Sequence, residues 1–393
     1  MSSPTCVLFV TGAYFPELSA GGLQSQAVAR LLKGRAECHV LTTSIRAGLP
    51  PHDRVEDVAV TRVYVARTSR LSTALATVRM LVALIRLLPR VDVVHVQGFS
   101  TKNILVMALS KMAGRPVLLH LQTALHDEPV TVRRQGRLAW WAFASADRYL
   151  SVSPGLTRHY LGANLDAAKV REIPNGVDET RFAPATVDER RDLRRRLHLP
   201  AEGPIVLFVG LISRDKQPQI LLDAWIRLQP EERTASTLVF VGATDPAHFE
   251  LGDRLIDRLQ ATVQLSGIAG RVMFVPPTSQ VQDYFRAADV FVMPSLREGL
   301  PIALLEAMAC GLPCVASRLP GATDVMIEDG INGRLVPPGD SAAFASALGE
   351  LIANPSEAAA MGAAARRTVE ERYTMKRVAD TWLAAYEQVL AAK

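Results

Sequence analysis

The chain has 393 residues, of which 49% are hydrophobic, and a formal net charge of +5. That length is too great for one ordinary core and too small for three, so two domains of similar size are expected. The basic excess lies in the first half, with 22 basic against 13 acidic residues over 1–183 and 22 against 26 beyond it. No aromatic-interleaved basic run or zinc-finger spacing accompanies it, so no nucleic-acid partner is expected.

In chain order, Cys6–Val10 reads as a first strand that runs into Gly12 without a basic leader, which predicts no secretion signal. Gly21-Gly22 then opens a helix over Gly22–Lys33. Strands follow at Cys38–Thr42, Val58–Val65, Val91–Val96 and Val117–Leu121, with helices at Thr73–Leu88 and Ile104–Ala113. The apolar stretch Leu71–Leu88 is interrupted by Thr77, Arg79 and Arg86, against a membrane span. With Arg67, Arg70 and Arg90 around it, the stretch fits either a face on an anionic membrane surface or a solvated helix docked on its own sheet.

Pro174-Asn-Gly176 and Pro184 break regular structure, which places a boundary near Pro184 between domains 1–183 and 184–375. The second domain repeats the alternation with strands at Ile205–Val209, Leu238–Val241, Val272–Val275, Val290–Met293 and Cys314–Ala316. Helices lie between them at Ile220–Leu228, Leu251–Leu265 and Ile302–Ala309. A last amphipathic helix, 376–393, is free to pack back on the first domain. The fold class is therefore α/β, with two Rossmann-like doubly wound parallel sheets and room for a cleft between them. Cys6, Cys38, Cys310 and Cys314 lack metal-ligand spacing beyond one unpaired Cys-x3-Cys, so they read as buried thiols.

The densest chemistry lies in Met293-Pro-Ser-Leu-Arg-Glu298-Gly-Leu-Pro-Ile-Ala-Leu-Leu-Glu306-Ala-Met-Ala-Cys-Gly311. A strand ends, a loop carries Glu298-Gly299, and a helix opens at Pro301 and closes at Gly311. Unpaired N–H groups at such a helix start suit a phosphate. Glu306 lies roughly 7 Å along the axis and leans back toward that start, where a ribose could sit. Glu298 would face the far end of a diphosphate and could orient a sugar ring. The plainer alternatives are a capping acid and a solvated helix glutamate.

The spacing Glu298-x7-Glu306 within Pro-Ser-x-x-Glu-Gly-Leu-Pro resembles the retaining glycosyltransferases of family four and their GT-B relatives. Gly21-Gly22, Ile173-Pro-Asn-Gly-Val-Asp178, Phe208-Val-Gly210 with Lys216, and Ala288-Asp-Val-Phe-Val-Met-Pro-Ser295 extend the likeness over nearly the whole chain. The resemblance implies a metal-independent, retaining hexosyltransferase without cofactor, using a UDP- or GDP-type sugar donor. Glu306 would bind the ribose and Glu298 the donor sugar, and Lys216 would neutralise the diphosphate. Val275, Ser295, Gly299, Leu300, Pro301, Gly21 and Gly22 would complete the donor site. The chain would be cytoplasmic, and its acceptor could be a lipid-linked or growing glycan.

Two positions depart from the family pattern. Leu211 stands where an arginine usually follows the glycine, with Arg214 a substitute three residues on. Gln122 stands at the end of a first-domain strand in place of a histidine, with His120 and His126 as nearby candidates for its sugar contact. No Asp-x-Asp follows a strand, and neither a P-loop nor Gly-x-Gly-x-x-Gly is present. A GT-B sugar-nucleotide epimerase and a non-catalytic partner subunit are the competing readings.

Overall fold

Short β-branched runs, most of them followed by a helix, build two largely parallel sheets in this computed structural model. It describes residues 4–17, 19–66, 70–242 and 255–392, without the side chains of Arg70 and Leu71. Arg67 and the first turn of the expected helix at 251–254 lie outside the described residues.

The first unit comprises 1–176 together with 375–393, and the second comprises 177–374. The division thus falls ahead of Pro184, and the last helix, Met375–Ala391, belongs to the first unit.

The first unit contains β1 (Thr5–Thr11), β2 (Ala36–Ser44), β3 (His52–Val55), β4 (Val58–Tyr64), β5 (Val93–Gln97), β6 (Val117–Leu121), β7 (Arg148–Ser151) and β8 (Val170–Glu172). Their order is β3-β4-β2-β1-β5-β6-β7-β8, parallel except for the β3–β4 hairpin. That hairpin turns through Glu56 and Asp57, both with positive φ, as a two-residue turn matched to strand twist requires. The run Val58–Val65 thus forms one arm of a hairpin and also pairs with β2. Near the middle of the sheet, β1 has β2 on one side and β5 on the other, so the order reverses there. Such a reversal opens a crevice at the carboxyl ends of the strands.

One face of this sheet is covered by the helices Ala20–Leu31 and Met375–Ala391, which pack on each other. Val378, Trp382, Tyr386 and Val389, at helical spacing, join Phe9, Val40 and Leu118 in one core. The final helix is therefore a wall of the first unit, and Trp382 is its largest fully buried side chain.

The second unit contains β9 (Ile205–Val209), β10 (Thr237–Val241), β11 (Val272–Val275), β12 (Val290–Met293), β13 (Cys314–Ser317) and β14 (Arg334–Val336), all parallel, in the order β11-β10-β9-β12-β13-β14. Here the order reverses between β9 and β12. Asp289 fixes this junction: its carboxylate accepts from the Ile205 N–H at 2.7 Å and pairs with Arg190 and Arg194. All four cysteines are buried and free.

Removing the indole tests the role of the final helix. Trp382→Ala should cost about 3–5 kcal/mol, the range for emptying a large aromatic site. Chemical denaturation followed by a probe in the first unit measures it, and a loss below about 1 kcal/mol would show that the helix is not part of that core.

Candidate functional site

At the β9/β12 reversal two loops meet. The first, Gly210–Gln217, follows β9, and the second, Pro294–Pro301, follows β12. They are joined by backbone, with Leu296 N–H donating to the Asp215 carbonyl at 2.8 Å, and by charge, with Arg297 2.6 Å from Asp215. Lys216 Nζ lies 2.5 Å from Glu298 Oε1. The Glu298 side chain is only 9% exposed, so this pair is better shielded than a surface ion pair and its geometry is correspondingly fixed. The residues flagged 82 positions apart in the sequence are thus one charged cluster.

The glycines explain how the loop floor is made. Gly210 and Gly242 have φ of +156 and +140 and end neighbouring strands, and a Cβ on Gly242 would come 2.0 Å from the Gly210 carbonyl oxygen. Val275, at the end of β11, accepts from the Gly242 N–H. Ser295 is fully buried with a hydroxyl that has no partner. Arg214 is exposed, on the rim of the same loop.

Pro301 is the residue before the helix, with extended φ/ψ, and the helix proper is Ile302–Ala309. Its start has no side-chain cap. The first N–H groups therefore lack an intrahelical or side-chain acceptor. The far end is held from behind: Arg366 donates to the carbonyls of Ala309, Phe182 and Glu179. Gly311 takes φ +72 there, as a helix-ending residue does.

Glu306 is half-buried on this helix, and loss of water pushes its carboxyl up to about 8, with the Arg181 guanidinium pulling the other way. Arg181 itself is held by Gln282 and the Ser279 carbonyl. Sequence reasoning missed Arg181, which belongs to no motif read from the sequence.

In the first unit, Gln122 follows β6 immediately. Its Nε2 donates to Gln97 Oε1 at the end of β5. Asp127 gathers the two strand ends, accepting from the N–H groups of Phe99, Gln122 and Thr123 at 2.6, 2.8 and 2.7 Å. Burial pushes the Asp127 carboxyl upward against the pull of those three donors.

His120 is fully buried, stacked on His95 and edge-on to Trp382, with neither ring nitrogen bonded. Burial pushes it down to about 3, so it is neutral. His120 and Gln122 do share a face, but Trp382 covers the histidine. His126 is exposed on the loop.

Gly21 and Gly22 have internal reasons to be glycine. A Cβ on Gly21 would meet Gln122 Oε1 at 2.9 Å, and one on Gly22 would meet the Ala13 carbonyl at 2.4 Å. Gly22 N–H also donates to the Ser19 hydroxyl that caps the helix.

Comparison with known proteins bears on both units. Residues 21–176 match the family model described as Glycosyl transferase 4-like domain, and 203–354 match Glycosyl transferases group 1. The D-inositol 3-phosphate glycosyltransferase of Xylanimonas cellulosilytica is 34% identical over 238 residues, 59% of this chain and 54% of that protein. The chain spans about half the length of the curated relatives it matches. Sucrose-phosphate synthase from Thermosynechococcus elongatus superposes with a TM-score of 0.83 at 23% identity, covering 99% of this chain and all of that one. Anabaena HepE, solved with UDP and glucose, gives 0.80 at 20% identity, over 98% of this chain and 100% of that one.

The raised Glu306 carboxyl has a consequence for stability. In the folded chain it keeps its proton up to about 8, whereas an unfolded glutamate loses it near 4.5. Between those values the folded state holds the extra proton, so wild type loses stability as pH rises. Glu306→Gln cannot ionise. Its melting temperature should therefore gain on that of wild type from pH 5 to 8 and stop gaining above that. A pH-independent difference would remove the burial argument.

Proposed function

Because the chain belongs to the family-four, group 1 glycosyltransferases and has their GT-B fold, we propose that it moves a hexosyl group from a nucleoside diphosphate sugar to an acceptor, with retention and without a metal. The observation that carries this reading is the Lys216–Glu298 pair beside the uncapped start of the helix that bears Glu306.

In this reading the nucleotide lies on the second unit. Glu306 accepts from the ribose hydroxyls. The diphosphate sits at the Ile302–Ala309 helix start beside Gly299, Leu300 and Pro301, where the helix dipole, Lys216 and Arg214 balance its charge. Ser295 and Val275 line the nucleotide, the serine having a buried hydroxyl to offer. Glu298 orients the sugar, and Lys216 serves two anions, holding the carboxylate when the site is empty and sharing its charge with the diphosphate when donor binds. Gln122 offers an amide to a sugar hydroxyl from the first unit, with Gly21 and Gly22 backing it.

The chemistry then needs position and charge more than a protein nucleophile. The acceptor hydroxyl attacks on the face that the diphosphate leaves, and a diphosphate oxygen takes its proton. That HepE was solved with UDP and glucose supports a UDP-sugar donor, with a GDP-sugar the other candidate. Among the described residues one grouping could hold a metal, Cys6 with Glu37 and His39, and it lies near the starts of β1 and β2. Those are the opposite strand ends from Gln97 and Gln122.

The acceptor reading follows from the helix Arg70–Leu87. Ser72–Arg90 is apolar and long enough by composition to cross a bilayer, yet Ala76, Met80 and Leu84 are buried against the sheet. Leu75, Val78, Val82 and Ile85 form an exposed stripe on the opposite side, flanked by exposed Arg79 and Arg86. Asp92 is the single acid between residues 58 and 126. An apolar stripe flanked by arginines, in a stretch with a single acid, fits the cytoplasmic face of an anionic membrane, and hence a lipid-linked or growing glycan as acceptor.

Donor binding at pH 8.5 tests the site. Glu306→Ala should weaken nucleotide affinity tenfold to a hundredfold, since a hydrogen bond to a charged group contributes roughly 1.5–3 kcal/mol. Glu298→Gln should bind nucleotide as wild type does and lose rate. Wild-type affinity in the first variant, or equal affinity loss in the second, would overturn the two roles. The product should retain the donor's anomeric configuration by NMR, and EDTA should leave the rate unchanged. Inversion, or metal-restored activity, would refute the mechanism.

Vesicles test the surface. Binding to phosphatidylglycerol vesicles should be strong at low salt, and replacing Arg79 and Arg86 by Ser should reduce it severalfold. Absence of binding at low salt would exclude the membrane face.

A further inference from the structure

We propose that Gln97 is a positioning residue for Gln122, and that the hydrogen-bonded chain behind it carries the fixed geometry of the final helix out to the strand edge. The proposal rests on the reading of Gln122 as a sugar contact and deepens it.

A glutamine side chain has three rotatable bonds before its amide, and an unheld one loses rotamer entropy whenever it must hold one position. Gln122 is not unheld. Its Nε2 donates to Gln97 Oε1. Gln97, itself 9% exposed, uses its own Nε2 toward His95 Nε2 at 3.3 Å. Since an amide nitrogen only donates, His95 accepts at Nε2, and its other ring nitrogen meets Tyr386 Oη at 2.7 Å. Tyr386 and Trp382, both fully buried, come from the final helix, and the two indole and imidazole rings are 4.6 Å apart. Burial keeps His95 neutral, so the hydrogen-bonded chain carries no charge.

The backbone is held as well. Asp127 bonds the Gln122 N–H and the Phe99 N–H, so the two strand ends that carry the amides cannot separate. Gly21 leaves the space in which Gln122 Oε1 lies, since a Cβ there would approach it to 2.9 Å. Two distant segments thus meet at the side-chain amide of Gln122, while Asp127 holds its backbone. A glutamine kept only for solubility needs none of them. With one side of its amide taken by Gln97, Gln122 presents the remainder in one orientation.

The experiment is a double-mutant cycle with Gln97→Met, which keeps the length and removes the amide, and Gln122→Ala. The probe is whichever of UDP-glucose, UDP-N-acetylglucosamine and GDP-mannose most raises the melting temperature of wild type, assayed by release of nucleotide. Gln97→Met should lower turnover about tenfold and leave the affinity for the bare nucleotide unchanged. The double variant should be no slower than Gln122→Ala alone, because a residue that acts through another has nothing left to position. Gln97→Glu keeps an acceptor oxygen for the Gln122 amide and should recover most of the rate; it also serves if Gln97→Met does not fold.

A slow Gln122→Ala with Gln97→Met at wild-type turnover overturns the proposal, as do losses that multiply in the double variant. Gln122→Ala at full turnover instead sinks the assignment of Gln122 as a sugar contact, while the donor reading of Glu306 stands or falls on nucleotide affinity alone.

Discussion

A parallel sheet buried on both faces must find cover for each, and in the first unit the chain meets that need with its own distant end. The helix Met375–Ala391 lays Trp382 and Tyr386 over β1, β5 and β6, where a solvated face would leave His95 and His120 wet and movable. Everything at the carboxyl ends of those strands inherits its stiffness. The neutral histidines, the Gln97–Gln122 pair and the Asp127 clamp are successive layers outward from that cover. Burial on this scale is worth about 25 cal/mol per Å² of apolar surface, so one large indole outweighs any single hydrogen bond in the chain.

The second unit solves a different problem, that of holding negative charge. Its carboxylates are poised in opposite ways. Glu298 has a lysine at 2.5 Å, whereas Glu306 lies where water is scarce and where the one cation acting on it, Arg181, is committed to Gln282 and Ser279. One acid has a cation against it, and the other is pushed toward its protonated form by its surroundings. Two glutamates eight positions apart, on one loop and the helix it opens, thereby differ in how a bound hydroxyl meets them.

Much of this was legible in the residues. Strand–helix alternation reads directly from β-branched runs and helical spacing, and all of the longer strands lie where that pattern puts them. Strands β3, β7, β8 and β14 were not read, because three or four residues with a charged member carry too little periodicity. At the site, the double-glutamate segment stood out through its family likeness, but its ion pair with Lys216 depends on which strands lie side by side. For the same reason Asp127 carries no signal in the sequence beyond being one polar residue beside His126 and Glu128. Its three N–H partners come from two strand ends brought together by β5–β6 pairing, and no local pattern encodes that. His120 was a candidate by its nearness to Gln122 and is covered by an indole more than 250 residues away in sequence.

The interleaving of the units has a consequence for biosynthesis. The second unit is continuous, from Val177 to Thr374, and its contacts are complete once that stretch has left the ribosome. The first unit is begun earlier and finished later, because its last wall is translated after all of the second. Until Met375–Ala391 emerges, the face of β1, β5 and β6 that holds Phe9, His95 and Leu118 is an uncovered apolar surface on a nascent chain. The domain that starts first is thus the one that needs shielding longest, and chaperone demand should track the time taken to translate the second unit.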